Sequence, residues 1–124
     1  IRNHYGINRI AQAGALAALG DQAYLADTVR QVAAAREEIA RIVRRHGLEP
    51  LPSATNFVTV DCGRDSAFAR RVLEELLARD VFVRMPAVAP LNRCIRIGAG
   101  RAADLALFAE ALPEALAAAD AQAA

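Results

Sequence analysis

The chain has 124 residues, a net charge of +1, 55% hydrophobic and 5% aromatic residues, which suits one domain with a real core rather than two domains or a disordered segment. That charge gives no electrostatic footprint for nucleic acid, and no apolar run approaches the length of a membrane span. All fifteen basic residues are arginine. Without a lysine the chain cannot supply Schiff-base chemistry of its own.

Cys62 and Cys94 lie far apart in sequence, with no CxxC pair and no adjacent histidine. They read as buried or partly buried free thiols of a cytoplasmic protein, and no metal site is expected. The first residues, IRNHYGIN, do not have the form of a signal peptide, and the chain begins at Ile1 without methionine. It is expected to be a fragment or processed piece with further sequence upstream.

Asn8 can cap a first helix whose apolar residues Ile10, Ala13, Leu16, Ala17 and Leu19 recur at three- and four-residue spacing and end at Gly20. Asp21 can cap a longer helix reaching His46 and stopped by Gly47, with an apolar stripe of Tyr24, Leu25, Val29, Val32, Ala35, Ile39, Ile42 and Val43. The Arg44-Arg45-His46 cluster at its end suits the helix dipole better than an anion site. His4 and Tyr5, before the first helix, read as packing or staple residues.

Leu48 to Ala54 carries two prolines and must be extended or turned, while Asn56 to Asp61, NFVTVD, alternates and is β-branched, predicting a strand. After a turn at Cys62–Asp65, Asp65 or Ser66 caps a helix through Arg79. Its core face is Phe68, Val72 and Leu76, with Ala69, Leu73 and Leu77 beside it. Two short strands are then expected at Val81–Val83 and Cys94–Ile97, joined by a Pro-rich loop. A last helix from about Ala102 to Ala119 turns Leu105, Phe108, Leu112 and Leu116 inward, with a break or kink near Pro113 and a frayed alanine-rich tail.

This order predicts an α+β fold: a three-stranded, mostly antiparallel sheet with helices packed on it, preceded by a long helix. The division expected is residues 1–20 as lead-in and first helix, 21–47 as a connecting helix, and 48–124 as a small α+β domain.

The stretch from Val81 to Arg101 carries the candidate chemistry. Alternation sets Ile95 and Ile97 on one face of a strand and Arg96 on the other, and Arg84 follows the neighbouring apolar run. Two guanidiniums on adjacent strands form a fork for a carboxylate or phosphate, since guanidinium is planar, permanently charged and bidentate. The competing reading is that each arginine reaches solvent or a nearby carboxylate.

Taken together, RNHYGINRIAQAGALAAL, PSATNF, VFVR and CIRIGAG, in that order, resemble the C-terminal small domain of a fold-type I, pyridoxal-phosphate-dependent aminotransferase, closest to the histidinol-phosphate aminotransferase group. The resemblance covers essentially the whole chain. It implies that Arg96 holds the acidic end of the substrate, that Arg84 assists on a substrate phosphate, and that Asn56 lines the pocket or caps a turn. It also implies that pyridoxal 5'-phosphate is held mainly by an upstream large domain, which would bring the missing lysine, and that the full protein is a cytoplasmic homodimer.

Where family members often have RITVG this chain has RIGAG, so Gly98 and Ala99 remove a hydroxyl and a branched side chain near the rim. A threonine-phosphate decarboxylase-like enzyme of similar fold, a stand-alone anion-binding module and an assembly domain are the other readings. An isolated module should fold and bind by itself, whereas a domain of a larger enzyme should expose the apolar face that meets its large domain.

Overall fold

The computed structural model describes residues 6–122; the readings for His4 and Tyr5 lie outside them. By contacts the chain forms two units, residues 1–30 and 31–124, and the division falls within one helix.

The first unit holds α1, Arg9–Gly20, and the start of α2, Gln22–Arg44. Asn8 caps α1 by accepting from the Ala11 N–H at 2.8 Å, and Asp21 caps α2 by accepting from the Tyr24 N–H at 3.0 Å. Both caps stand where the sequence placed them, because a short side-chain oxygen satisfies an N–H that the first turn leaves without a partner. The apolar periodicity of this unit does not mark a core. No residue of α1 is buried, and Ile10, Leu16, Tyr24 and Val29 are exposed.

In the second unit α2 continues to Arg44, and Ala35, Ile39, Ile42 and Val43 are buried. Beyond it the chain is capped at Gly47, φ 75°, where the Leu48 N–H donates to Val43 O at 3.2 Å and the Gly47 N–H to Arg44 O at 3.1 Å. This is a Schellman closure, and its left-handed position takes a residue without a Cβ at little cost.

The sheet has the order β1–β2–β3, from Glu49–Pro50, Phe57–Asp61 and Cys94–Gly98, antiparallel throughout. Pro50 sits on the edge strand, where a missing donor is tolerated. The third strand is therefore not Val81–Val83, as the sequence suggested. Helix α3, Ser66–Leu77, is capped by Asp65, and Asp80 adopts φ 60° just past it. The Val81 N–H donates to Leu76 O at 2.9 Å. That hydrogen bond closes the helix end and removes Val81 from any ladder. The run keeps its in-and-out alternation, with Val83 buried and Phe82 exposed, but joins the sheet only through a single bridge at Arg84.

Helix α4, Ala102–Ala121, runs through Pro113 without interruption. The break expected there is absent. Proline removes one helical donor, while Leu105, Phe108, Leu112, Ala115 and Ala119 along the same helix are buried in the core. The alanine tail is likewise ordered as far as the described residues reach: Arg71 Nε donates to Ala119 O at 3.0 Å, and Asp120 pairs with Arg64.

One hydrophobic cluster joins α2, α3, α4 and one face of the sheet, through Val58, Val60, Ile95 and Ile97. The other face, with Phe57, Thr59, Asp61 and Arg96 half-buried, is left for polar work. Leu73 and Leu116 sit at the margin of the core and Leu77 is exposed. Cys62 and Cys94 are buried free thiols, as expected. Among the described residues no helix is long and apolar enough to cross a membrane, and no three His, Cys, Asp or Glu residues cluster as metal ligands.

Candidate functional site: an opposed arginine pair

Register builds the site. β2 and β3 pair with Thr59 opposite Arg96 and Asp61 opposite Cys94. On the other side of β3, Arg84 pairs with Arg96, its N–H donating to Arg96 O at 3.1 Å and accepting at its carbonyl from Arg96 N at 2.6 Å. Directly opposed residues of an antiparallel pair present their side chains on the same face. Thr59, Arg96 and Arg84 therefore form a row across the polar face of the sheet.

Two like charges directly opposed on a sheet are unfavourable. The usual relief is a carboxylate, and the second unit is rich in such pairs: Arg41 with Glu38, Arg64 with Asp120, Arg79 with Glu75 and Glu114, Arg93 with Asp61, and Arg101 with Asp104. Neither Arg84 nor Arg96 makes an ion pair with a described carboxylate. The Arg96 guanidinium instead lies over the Phe57 ring, 4.6 Å from its centroid. An aromatic face attracts a cation without neutralising it.

Asp61 stands at the diagonal position to Arg96, as Phe57 does on the other side of Thr59. Its carboxylate is taken by Arg93, with Nε at 2.9 and 3.0 Å and Nη2 at 2.6 Å. The Arg93 guanidinium holds the Asp61 carboxyl below the usual carboxylate range, and the Gly63 N–H at 2.8 Å adds to this.

Of the three residues singled out from sequence, the fold brings Arg84 and Arg96 together and places Asn56 apart. Asn56 is exposed before β2, accepts from the Ala99 N–H at 2.8 Å, and lines a hollow of about 390 Å³ with Phe82, Gly98, Gly100, Asp104 and Leu107. Neither arginine lines that hollow. Phe57 and Arg93 were missed by the sequence reading. Phe57 lies two residues from Thr59, so strand alternation alone sets both on one face, but finding Arg96 there requires the β2–β3 register.

An arginine pair free of carboxylates, on a small α+β layer, is a means of holding an anion. The profile of the family described as aminotransferase class I and II matches residues 1–112, and the chain belongs to that family. Among its relatives are the histidinol-phosphate aminotransferase of Geotalea uraniireducens, 36% identical over 115 residues, or 92% of this chain and 32% of that protein. Histidinol-phosphate aminotransferase 2 of Ralstonia nicotianae is 37% identical over 123 residues, 99% of this chain and 33% of that one.

The crystal structure of histidinol-phosphate aminotransferase from Sinorhizobium meliloti in complex with pyridoxal-5'-phosphate matches with a TM-score of 0.89 and 52% identity, covering 94% of this chain and 32% of that one. The chain thus spans about a third of the length of the relatives it matches. The residues present do not suffice for that cofactor: with no lysine in the sequence, no amine is available here to bind it covalently.

Proposed function

We propose that this chain is the substrate-anion-binding part of a pyridoxal-phosphate-dependent aminotransferase, with Arg96 as the principal ligand and Arg84 assisting, while Asn56 lines a separate hollow. The observation that carries this reading is the opposed pair Arg84 and Arg96, left without a described carboxylate on the polar face of the sheet while the adjacent Asp61 is taken by Arg93. Family membership and the histidinol-phosphate aminotransferase relatives support it. The substrate is an amino acid or amino-phosphate, whose amino group passes to a 2-oxo acid.

Bound pyridoxal phosphate supplies the electron sink for that transfer, and it is held by residues outside this sequence. What this chain contributes is position. A remote anion fixed by a bidentate guanidinium orients the reacting carbon, so binding energy far from the chemistry lowers the barrier at it. By itself the chain is inactive.

The exposed apolar side chains of the first unit, Ile10 at 85%, Leu16 at 72% and Tyr24 at 70%, support a large cofactor-binding domain as the partner that covers them. The assembled enzyme is a cytoplasmic homodimer in this reading.

The test is titration of the chain with inorganic phosphate, followed through the Nε–Hε resonances of its arginines. Saturable shifts are expected at Arg96 and Arg84. Arg96→Ala should weaken the affinity at least tenfold, since a charge-assisted bidentate contact contributes roughly 1.5–3 kcal/mol. Absence of a response at both arginines would overturn the assignment.

A further inference from the structure

Strand β2 offers Arg96 two diagonal neighbours on the same face, the Asp61 carboxylate on one side of Thr59 and the Phe57 ring on the other. Diagonal positions lie about 7–8 Å apart at the backbone, within reach of a side chain as long as arginine. A guanidinium with a free carboxylate and a ring on its two diagonals would take the carboxylate, because a charge-assisted bidentate hydrogen bond is stronger than a cation–π contact. The structure has the opposite arrangement. Arg96 lies on Phe57, and Asp61 is held by three close contacts from Arg93.

We propose that Arg93 is a positioning residue for the anion site: by engaging Asp61 it keeps that carboxylate off Arg96, while Phe57 holds the Arg96 guanidinium in place with its charge uncompensated. The inference rests on the reading of Arg96 as an anion ligand. The anion then competes with no internal carboxylate, and Arg96 gives up no ion pair when it binds. The arrangement also explains why a carboxylate can stand so near an anion site. Asp61 is half-buried, its side chain 21% exposed, and its charge is already matched by Arg93 before an anion arrives.

The experiment uses the 124-residue chain with inorganic phosphate as the probe, comparing Arg93→Gln with the double variant Arg93→Gln/Asp61→Asn. Loss of Arg93 releases Asp61 to pair with Arg96, and the dissociation constant for phosphate should rise at least threefold. The double variant, which removes the released carboxylate as well, should return to the wild-type value. A generally damaged sheet would not be rescued by a second substitution; because the double variant also restores the net charge, the ligand-free measurement separates a released carboxylate from a loss of long-range positive charge. An unchanged constant in Arg93→Gln, or a double variant as weak as the single, would overturn the proposal.

A ligand-free measurement separates this result from failure of the binding reading itself. In Arg93→Gln the Asp61 carboxyl, followed by carbon NMR, should titrate lower than in Arg93→Gln/Arg96→Gln, because Arg96 has replaced Arg93 in the first variant only while the Gly63 N–H is common to both. Equal titration of Asp61 in the two variants would overturn the proposal whether or not phosphate binds. Wild-type chain that ignores phosphate while Asp61 titrates lower in Arg93→Gln than in Arg93→Gln/Arg96→Gln would sink only the anion-site reading. For the ring, Phe57→Tyr should keep the Arg96 Nε as ordered as in wild type by heteronuclear NOE, and Phe57→Leu should loosen it. Equal order in both would remove Phe57 from the proposal.

Discussion

Arg84 and Arg96 face each other through one bridge and exchange both backbone hydrogen bonds, at 3.1 and 2.6 Å, so that two permanent positive charges occupy directly opposed positions. Arg84→Thr removes the repulsion and places a β-branched residue in an extended segment, and should raise stability by roughly 0.2–1 kcal/mol. The same variant should bind phosphate more weakly. Urea unfolding at low and at high salt checks the cause: the stability gain should shrink as salt screens the pair. A gain that is independent of salt would mean that propensity, not charge, is responsible.

The Asp61–Arg93 pair gives an acid-side signature. Arg93 depresses the folded-state pKa of Asp61 below that of the unfolded chain, so the stability it contributes is fully present above the unfolded value. It is lost as pH falls from about 4 through the lower folded value. Asp61→Asn should flatten that part of the stability profile and leave the neutral region little steeper than in wild type. An acid limb unaltered by the substitution would assign it to other carboxylates.

Burial pushes the Cys62 thiol up to about 12, with Cys94 and Asp61 nearby adding to the rise; Cys94 is raised too, chiefly by desolvation. The folded chain at pH 8 should therefore react with a disulfide reagent at least tenfold more slowly than the urea-unfolded chain, in which both thiols are free. An unfolded thiol ionises from about pH 8.5, whereas folded Cys62 keeps its proton to about 12. Stability should accordingly fall through that alkaline window, and Cys62→Ala should remove part of the fall.

Two glycines with open space around them should respond in opposite directions. A Cβ at Gly47 or at Gly98 would meet no heavy atom within 4 Å, but only Gly47 has a positive φ, +75°. Gly47→Ala should cost about 1–2 kcal/mol from backbone strain alone. Gly98→Thr, in β3 opposite Phe57, should gain up to about 1 kcal/mol, since glycine weakens a strand and threonine favours one. Chemical denaturation of both variants checks the contrast.

Local chemistry was readable in the residues themselves. The caps at Asn8, Asp21 and Asp65, the stop at Gly47 and the strand at Phe57–Asp61 follow from hydrogen-bond needs and alternation within a few positions. So did the facing of Ile95 and Ile97 away from Arg96, because strand geometry reverses side chains at every residue. Family resemblance, carried by PSATNF, VFVR and CIRIGAG, was legible for the same reason that motifs are: each is a contiguous run.

What only the tertiary structure decided were relations between distant segments. Val81–Val83 alternates like a strand, yet the hydrogen bond from Val81 to Leu76 commits its start to the end of α3. Pro113 looks like a break, yet α4 stays continuous along a buried face. The amphipathic stripe of α1 promised a core, and its apolar residues are exposed. Most of all, the choice of Arg96 for Phe57 and of Arg93 for Asp61 depends on a register between strands more than thirty residues apart. Periodicity says which side of an element a residue faces; what waits on that side is set by long-range pairing, where competing charges and rings must be weighed at real distances.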